Sequence, residues 1–165
     1  TEPTEALLLG GYTATMHEGR VTQFGPTGAI YRNPKDVISA RVFSEPPINT
    51  AWVVKQGDRV ALGNVAAWPA PDVLAGKPDG RYQIGLRPHH VLPLRGDETA
   101  VPVAGEVLVT ELSGSESVVH FKVGDETWVS LAHGIHAFDV GETAELFADM
   151  HHAFYFGADG GLLAA

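Results

Sequence analysis

Apolar and polar positions alternate with a period of two along most of the chain after Asn49. This period is typical of strands that bury one face. Breakers such as Gln56-Gly57-Asp58 and Ser113-Gly114-Ser115 separate the runs, and Gly124-Asp125 is typical of a tight hairpin turn. The pattern predicts eight strands, at residues 51–55, 59–62, 83–86, 101–112, 116–123, 126–131, 143–147 and 154–156. Eight short strands joined by turns favour a closed or nearly closed β-barrel.

The first 47 residues follow a different pattern. It predicts a helix over 3–9, strands over 12–16 and 21–24, a short helix over 28–31 and a helix over 35–43. Gly19 and Arg20 are expected to make the hairpin turn, and Pro46 and Pro47 force an extended corner. We therefore expect two regions, 1–47 and 48–165. The first is too small for its own core, so it should pack on another body.

Composition and charge narrow the possible functions. The chain has 165 residues, no cysteine, 11 Lys and Arg, and 20 Asp and Glu, which gives a net charge of −9. The lack of cysteine excludes disulfide scaffolds and thiolate chemistry. An acidic surface repels phosphate backbones, so nucleic acid is not an expected partner. No apolar run is long enough for a spanning helix, so no direct membrane insertion is expected.

No motif in the chain predicts catalysis. Gly76-Lys77 is followed by Pro78 rather than by a hydroxyl residue, so a phosphate-binding loop is not expected. The run Leu112-Ser113-Gly114-Ser115-Glu116 superficially resembles the signature of ABC ATPases, but a strand-forming run follows it, which favours a hairpin turn. There is no nucleophile elbow either. We expect no catalytic residue and no cofactor bound by this chain.

Eight histidines raise the question of a metal site. Zinc usually requires three or four converging ligands, and adjacent histidines on a strand point to opposite faces. Gly134 favours a loop between His133 and His136, which weakens their convergence. We expect no metal. The alternative hypothesis is a free-standing β-barrel that binds a small ligand or a metal ion through His133, His136 and His151.

Several motifs occur in a fixed order along nearly the whole chain. They are Met16-x-x-Gly19-Arg20-Val21-x-Gln23-x-Gly25-Pro26, Gly85-Leu86-Arg87-Pro88-His89, Glu111-Leu112-x-Gly114-Ser115-Glu116-x-Val118-Val119-His120, and Phe147-x-Asp149 with Phe154-Tyr155-Phe156. Together they resemble the C-terminal region of ATP-binding subunits of ABC importers for carbohydrates, polyols or glycerol 3-phosphate. Each motif is weak alone, and the order and spacing carry the resemblance.

This resemblance implies a mainly β fold, an OB-like barrel of the TOBE type preceded by a short α/β remnant of a nucleotide-binding domain. It implies a non-catalytic dimerisation and regulatory role, in a parent subunit that couples ATP hydrolysis to the import of a sugar, polyol or glycerol-type solute. ATP and Mg²⁺ would belong to the parent. The implied partners are a second ATP-binding subunit and membrane permeases, on the inner face of a bacterial plasma membrane.

Two positions depart from the family pattern. Thr1 aligns with the switch histidine that contacts the ATP γ-phosphate, and Glu2 aligns with the aspartate that follows it. His89 stands where the family often has glutamate. The position of the switch histidine is therefore not matched, which is expected either if the sequence was cut there or if the parent is an atypical ATPase subunit.

The residues expected to matter are structural or interfacial rather than catalytic. Arg87 and Pro88 are candidates for an interface, because the rigid fork of arginine can bind carboxylates or carbonyls. Glu116 and His120 are four apart and should share one face of a strand. The remaining candidates are Gly19 and Arg20 in the hairpin turn, and Pro46 and Pro47 at the corner.

Overall fold

Short strands dominate the structure, a computed structural model that describes residues 2–163. Thr1, which aligns with the switch histidine of the family, lies outside the described residues. The helices are α1 (Pro3–Leu9), α2 (Thr27–Arg32) and α3 (Val37–Val42). The strands are β1 (Tyr12–His17), β2 (Arg20–Pro26), β3 (Asn49–Gln56), β4 (Arg59–Leu62), β5 (Ala66–Pro69), β6 (Gly80–Leu86), β7 (Val91–Leu92), β8 (Val101–Leu112), β9 (Glu116–Val123), β10 (Glu126–His133), β11 (Thr143–Ala148) and β12 (Phe154–Phe156). Single 3₁₀ turns lie at Asp72–Leu74, Pro88–His90 and Met150–His152.

Two antiparallel five-stranded sheets enclose the main core. One has the order β12-β6-β3-β4-β5 and the other β10-β9-β8-β11-β7. Their inner faces bury large apolar side chains such as Phe121, Trp128 and Leu146. All eight predicted strands are present, and the prediction of a mainly β, OB-like barrel is confirmed.

Polar contacts of Asn49 close the gap between the two sheets. Its side-chain amide donates to the Val129 carbonyl at 2.8 Å and accepts from the Val129 amide at 2.6 Å. Beside it, the Trp128 indole donates to the Thr50 carbonyl at 3.1 Å. These bonds satisfy groups that burial would otherwise leave unpaired, and they fix β3 against β10.

Helix α3 packs on the first sheet. It begins after Asp36, whose carboxylate accepts from the Ser39 amide at 2.8 Å, so the helix starts later than the predicted residue 35. Val37 and Ala40 form a second apolar cluster with Ile48 and with Phe156 of β12. The helix is therefore attached to the barrel by buried side chains.

The hairpin of β1 and β2 has two unlike faces. Glu18 and Gly19 both have positive φ, as a two-residue type I′ turn requires. The inner face is rich in threonine, and the hydroxyls of Thr15 and Thr22 lie 2.7 Å apart. The outer face is apolar and exposed.

Among residues 2–163, no helix has the length and apolar character needed to cross a membrane.

Candidate functional site

Arg87 lies at the end of β6 and connects the helices to the barrel. Its guanidinium donates to the Phe43 carbonyl at 2.9 Å and to the Tyr31 carbonyl at 2.7 Å. It also lies 3.7 Å from the centroid of the Tyr31 ring. The residue is only 4% exposed, and burial lowers the pKa of Arg87. The carbonyls and the ring replace the water that this cation has lost.

Pro88 follows Arg87 and begins the 3₁₀ turn Pro88–His90. Pro88 is buried, whereas His89 is exposed. A small cleft beside them is also lined by Glu45, Tyr31 and part of α1. Arg87 and Pro88 thus share a junction with the N-terminal helices, and their interface role remains a prediction.

The other predicted residues lie apart from this junction. Gly19 is in the hairpin turn, and Arg20 is the first residue of β2 rather than a central residue of that turn. Pro46 accepts, through its carbonyl, a hydrogen bond from the Ser44 hydroxyl at 2.8 Å, and Pro47 is exposed. Glu116 and His120 share the half-buried face of β9, as their spacing predicts.

His133, His136 and His151 are not brought together. His136 follows β10 in a loop and contacts the His133 carbonyl at 3.0 Å through Nε2, while His151 lies in the turn Met150–His152. The hypothesis of a site built from these three residues therefore lacks a geometric basis. In the loop containing Gly134, the His136 ring contacts the His133 backbone, and the His133 ring lies 4.0 Å from the Glu116 carboxylate.

A different group of histidines does converge. Potential ligand atoms of His90, Asp149 and His152 all lie within 4.8 Å of one another, the one such group among residues 2–163. The rings of His90 and His152 are stacked, with centroids 4.1 Å apart and planes 10° from parallel. Burial, assisted by His89 and His152, lowers the pKa of His90 to about 4. Its imidazole is therefore neutral at pH 7.

The sequence contained only a partial signal for this group. The adjacent pairs His89-His90 and His151-His152 were visible, but the strand rule for adjacent histidines does not apply to 3₁₀ turns. The contact also depends on which turns the barrel brings together. A backbone hydrogen bond from Asp149 to the His90 carbonyl, at 2.9 Å, makes that connection.

A groove of about 1090 Å³ lies beside β5. Trp68, Tyr155 and Leu163 contribute to its wall. The Trp68 indole donates to the Tyr155 hydroxyl at 2.8 Å, and burial raises the pKa of Tyr155 to about 12. These two side chains satisfy each other, and polar side chains such as Asp72, Arg95 and Glu98 line other parts of the groove.

The outer face of the hairpin forms an exposed apolar surface. It consists of Tyr12, Met16, Val21 and Phe24, which we call the hairpin face. These side chains are 54–72% exposed, and the rings of Tyr12 and Phe24 stack with centroids 5.8 Å apart. Leu8 and Leu9 of α1 are more than 80% exposed. Contiguous exposed apolar patches are typical of interaction sites.

Comparison with known proteins finds relatives along almost the whole chain. The chain is 25% identical over 169 residues to an uncharacterized ABC transporter ATP-binding protein of Bacillus subtilis, covering 96% of this chain and 46% of that protein. It is 34% identical over 119 residues to an sn-glycerol-3-phosphate import ATP-binding protein of Rhizobium meliloti, covering 70% of this chain and 31% of that protein. It is 27% identical over 128 residues to a sulfoquinovosyl glycerol transport ATP-binding protein of Agrobacterium fabrum, covering 75% of this chain and 35% of that protein.

The chain thus spans less than half the length of these relatives. No family model matches it. The resemblance indicated by the sequence motifs is nevertheless confirmed, because the relatives are ATP-binding proteins of ABC importers.

Proposed function

Because the chain resembles the C-terminal region of ATP-binding subunits of ABC importers, we propose that it is the non-catalytic dimerisation and regulatory part of such a subunit. Residues 1–47 would complete a nucleotide-binding domain, and residues 48–165 would form a TOBE-type accessory barrel. ATP and Mg²⁺ would bind to other parts of the parent protein, since this sequence has no phosphate-binding loop.

The observation that carries this proposal is the exposed hairpin face. A two-stranded hairpin with one apolar face is marginal in water unless that face is covered. Its inner face already contacts α2, where the hydroxyls of Thr13 and Thr27 lie 2.8 Å apart, so the outer face is available to a further body. In the proposal that body is the rest of the nucleotide-binding domain, and α1 with its exposed Leu8 and Leu9 packs there too.

The parent protein would work with partners. These are a second ATP-binding subunit and membrane permeases, and the subunit would be peripheral on the inner face of a bacterial plasma membrane. The transported solute would be a sugar, a polyol or a glycerol-type compound, in line with the relatives' names. The barrels of two subunits would pack against each other in an isologous dimer.

Calorimetry with Mg-ATP tests the non-catalytic role. We expect no heat of binding to this chain, whereas a longer protein that includes the preceding nucleotide-binding domain should bind ATP. Binding of ATP to residues 1–165 alone would contradict the assignment.

Light scattering tests the association of the barrels separately from the hairpin face. The double variant V21S/F24S makes the hairpin face polar, and the matched control L94S changes Leu94, which is 68% exposed elsewhere. We expect a dimer at high concentration that survives in both variants. A strict monomer in the double variant would locate association at the hairpin face and would contradict dimerisation through the barrel.

A further inference from the structure

Two 3₁₀ turns that are distant in sequence meet at one end of the barrel. Pro88–His90 follows β6, and Met150–His152 follows β11. The Asp149 amide donates to the His90 carbonyl at 2.9 Å, and β7 pairs with β11 next to this bond. The backbone under His90, Asp149 and His152 is therefore fixed by the sheet rather than by a free loop.

The three side chains place potential ligand atoms close together. Asp149 accepts from His152 Nδ1 at 2.7 Å through Oδ2 and from the His151 amide at 3.2 Å through Oδ1. The carboxylate is thus held in place beside the His152 ring. The His90 ring makes no hydrogen bond to any residue of the described part of the chain and remains available.

The separations suit a small cation. Bonds of about 2.0–2.1 Å in a tetrahedral site place neighbouring ligand atoms roughly 3.3 Å apart. The potential ligand atoms here lie within 4.8 Å of one another, so closing on an ion requires a shift of the order of 1 Å. The rings of His90 and His152 are stacked nearly parallel, so their in-plane lone pairs converge on one ion only after the His152 ring rotates out of the stack. His152 is exposed and Asp149 is half-buried, which leaves room for that rotation, and a proton is released if Nδ1 becomes the ligand.

We propose that His90, Asp149 and His152 bind a divalent transition-metal ion of the zinc class. Two imidazoles and a carboxylate suit zinc, nickel or copper better than magnesium or calcium, which prefer oxygen ligands alone. Three protein ligands leave a position for water or for a further group. Bound metal would connect the turn after Arg87 to the turn before β12. This inference is independent of the proposed function.

The alternative is that the stacked imidazoles and Asp149 form an ordinary surface hydrogen-bonded cluster. Both arrangements explain the 2.7 Å contact between Asp149 and His152. They differ in their response to metal, because only a ligand set binds one equivalent of Zn²⁺ through all three residues.

Calorimetric titration of the untagged chain with Zn²⁺ at neutral pH distinguishes the two. We expect one equivalent to bind, and each of the variants H90Q, D149N and H152Q to weaken binding at least about tenfold. The matched control H151Q lies in the same turn but outside the group and should change the affinity by less than about twofold, within the scatter of neutral substitutions. The double variant H133Q/H136Q should behave like this control.

Thermal unfolding gives a second readout. Zn²⁺ should raise the melting temperature of the unsubstituted chain and of H151Q, because a ligand that binds only the folded state stabilises it. It should not raise that of H152Q. If circular dichroism shows that H90Q does not fold, the variant H152Q still tests the proposal, because His152 is exposed and its replacement should leave the fold intact. Absence of stoichiometric Zn²⁺ binding, or its loss in H133Q/H136Q rather than in H152Q, would overturn the proposal.

Discussion

At the scale of single residues, Arg87 differs from the other arginines near aromatic rings. Its guanidinium is buried and donates hydrogen bonds to two carbonyls, whereas Arg81 is exposed and lies 4.7 Å from the Trp52 ring. A buried cation is tolerated only where hydrogen bonds replace water. Arg87 should therefore contribute to stability through geometry that a surface arginine lacks.

Replacing Arg87 tests this difference. We expect R87A to lower the free energy of unfolding by about 3 kcal/mol, because the buried Phe43 carbonyl and the partly buried Tyr31 carbonyl lose a charged donor. R87K should lose about half of that, since an ammonium cannot reproduce the planar fork. R81A, the matched control, should lose less than about 1 kcal/mol. Urea unfolding at constant m value measures all three, and equal losses in R87A and R81A would contradict the argument.

Lys55 and Asp79 form the second residue-scale case. Lys55 Nζ lies 2.9 Å from Asp79 Oδ1, and the Gly57 amide donates to the same oxygen at 3.0 Å. The hydrogen bond from Lys55, followed by that from Gly57, lowers the pKa of Asp79 below its usual 3.8. The folded state thus holds the carboxylate ionised more strongly than the unfolded state does.

This shift predicts a pH dependence of stability. The contribution of Asp79 is fully present above pH 3.8 and is lost as the pH falls through its lower folded-state pKa. D79N should therefore be less stable than the unsubstituted chain at pH 7, and the difference should shrink in acid. E145Q, which changes an exposed carboxylate on β11, serves as the control. A D79N difference that stayed constant down to the acid limit would refute this assignment.

At the scale of elements, β8 changes its partner along its length. It pairs with β11 through residues 101–106 and with β9 through residues 107–112, with an irregular register between Val107 and Val109. Gly105 lies just before this change. A Cβ atom there would stand 1.7 Å from the Lys122 carbonyl oxygen of β9, which is far inside contact distance.

The variant G105A should therefore disturb the junction of three strands. We expect a loss of about 3 kcal/mol, at the upper end of overpacking effects, because a backbone oxygen cannot move as a side chain would. The control G96A meets no atom within 4 Å and should change stability by less than about 0.5 kcal/mol. Urea unfolding compares them, and a neutral G105A would show that β8 and β9 can separate at this point.

The strands were predictable because period-two alternation and turn residues coincide along them. The missed strands have physical reasons: Ala66–Pro69 is a four-residue run of two alanines, Trp68 and a proline with no clear alternation, and Val91–Leu92 has only two residues. The sequence predicted that Arg87 binds carboxylates or carbonyls. It did not identify Tyr31 and Phe43 as the partners, because every residue has a backbone carbonyl. The group of His90, Asp149 and His152 needed the packing of two turns, which no local pattern encodes.

At the scale of the whole molecule, the packing shows which residues before β3 are attached to the barrel. The sequence placed a boundary after residue 47, which remains a proposal. The packing attaches the segment before it as well: the Leu162 amide donates to the Lys35 carbonyl at 2.9 Å, and the Val37 amide donates to the Gly160 carbonyl at 3.0 Å. Val37 and Ala40 cover Phe156, which is fully buried.

Two truncations distinguish a barrel that begins after residue 47 from one that includes α3. Removal of residues 1–33 keeps α3, the cover of Phe156 and the Phe43 carbonyl of the Arg87 junction. Removal of residues 1–47 exposes Phe156 and leaves the Arg87 guanidinium without either carbonyl. We expect the first protein to unfold cooperatively in urea and the second to lose several kcal/mol or its cooperativity, because buried apolar cover and a paired cation are lost together. Equal unfolding midpoints would place the physical boundary at residue 47 and would make α3 a part of the preceding domain alone.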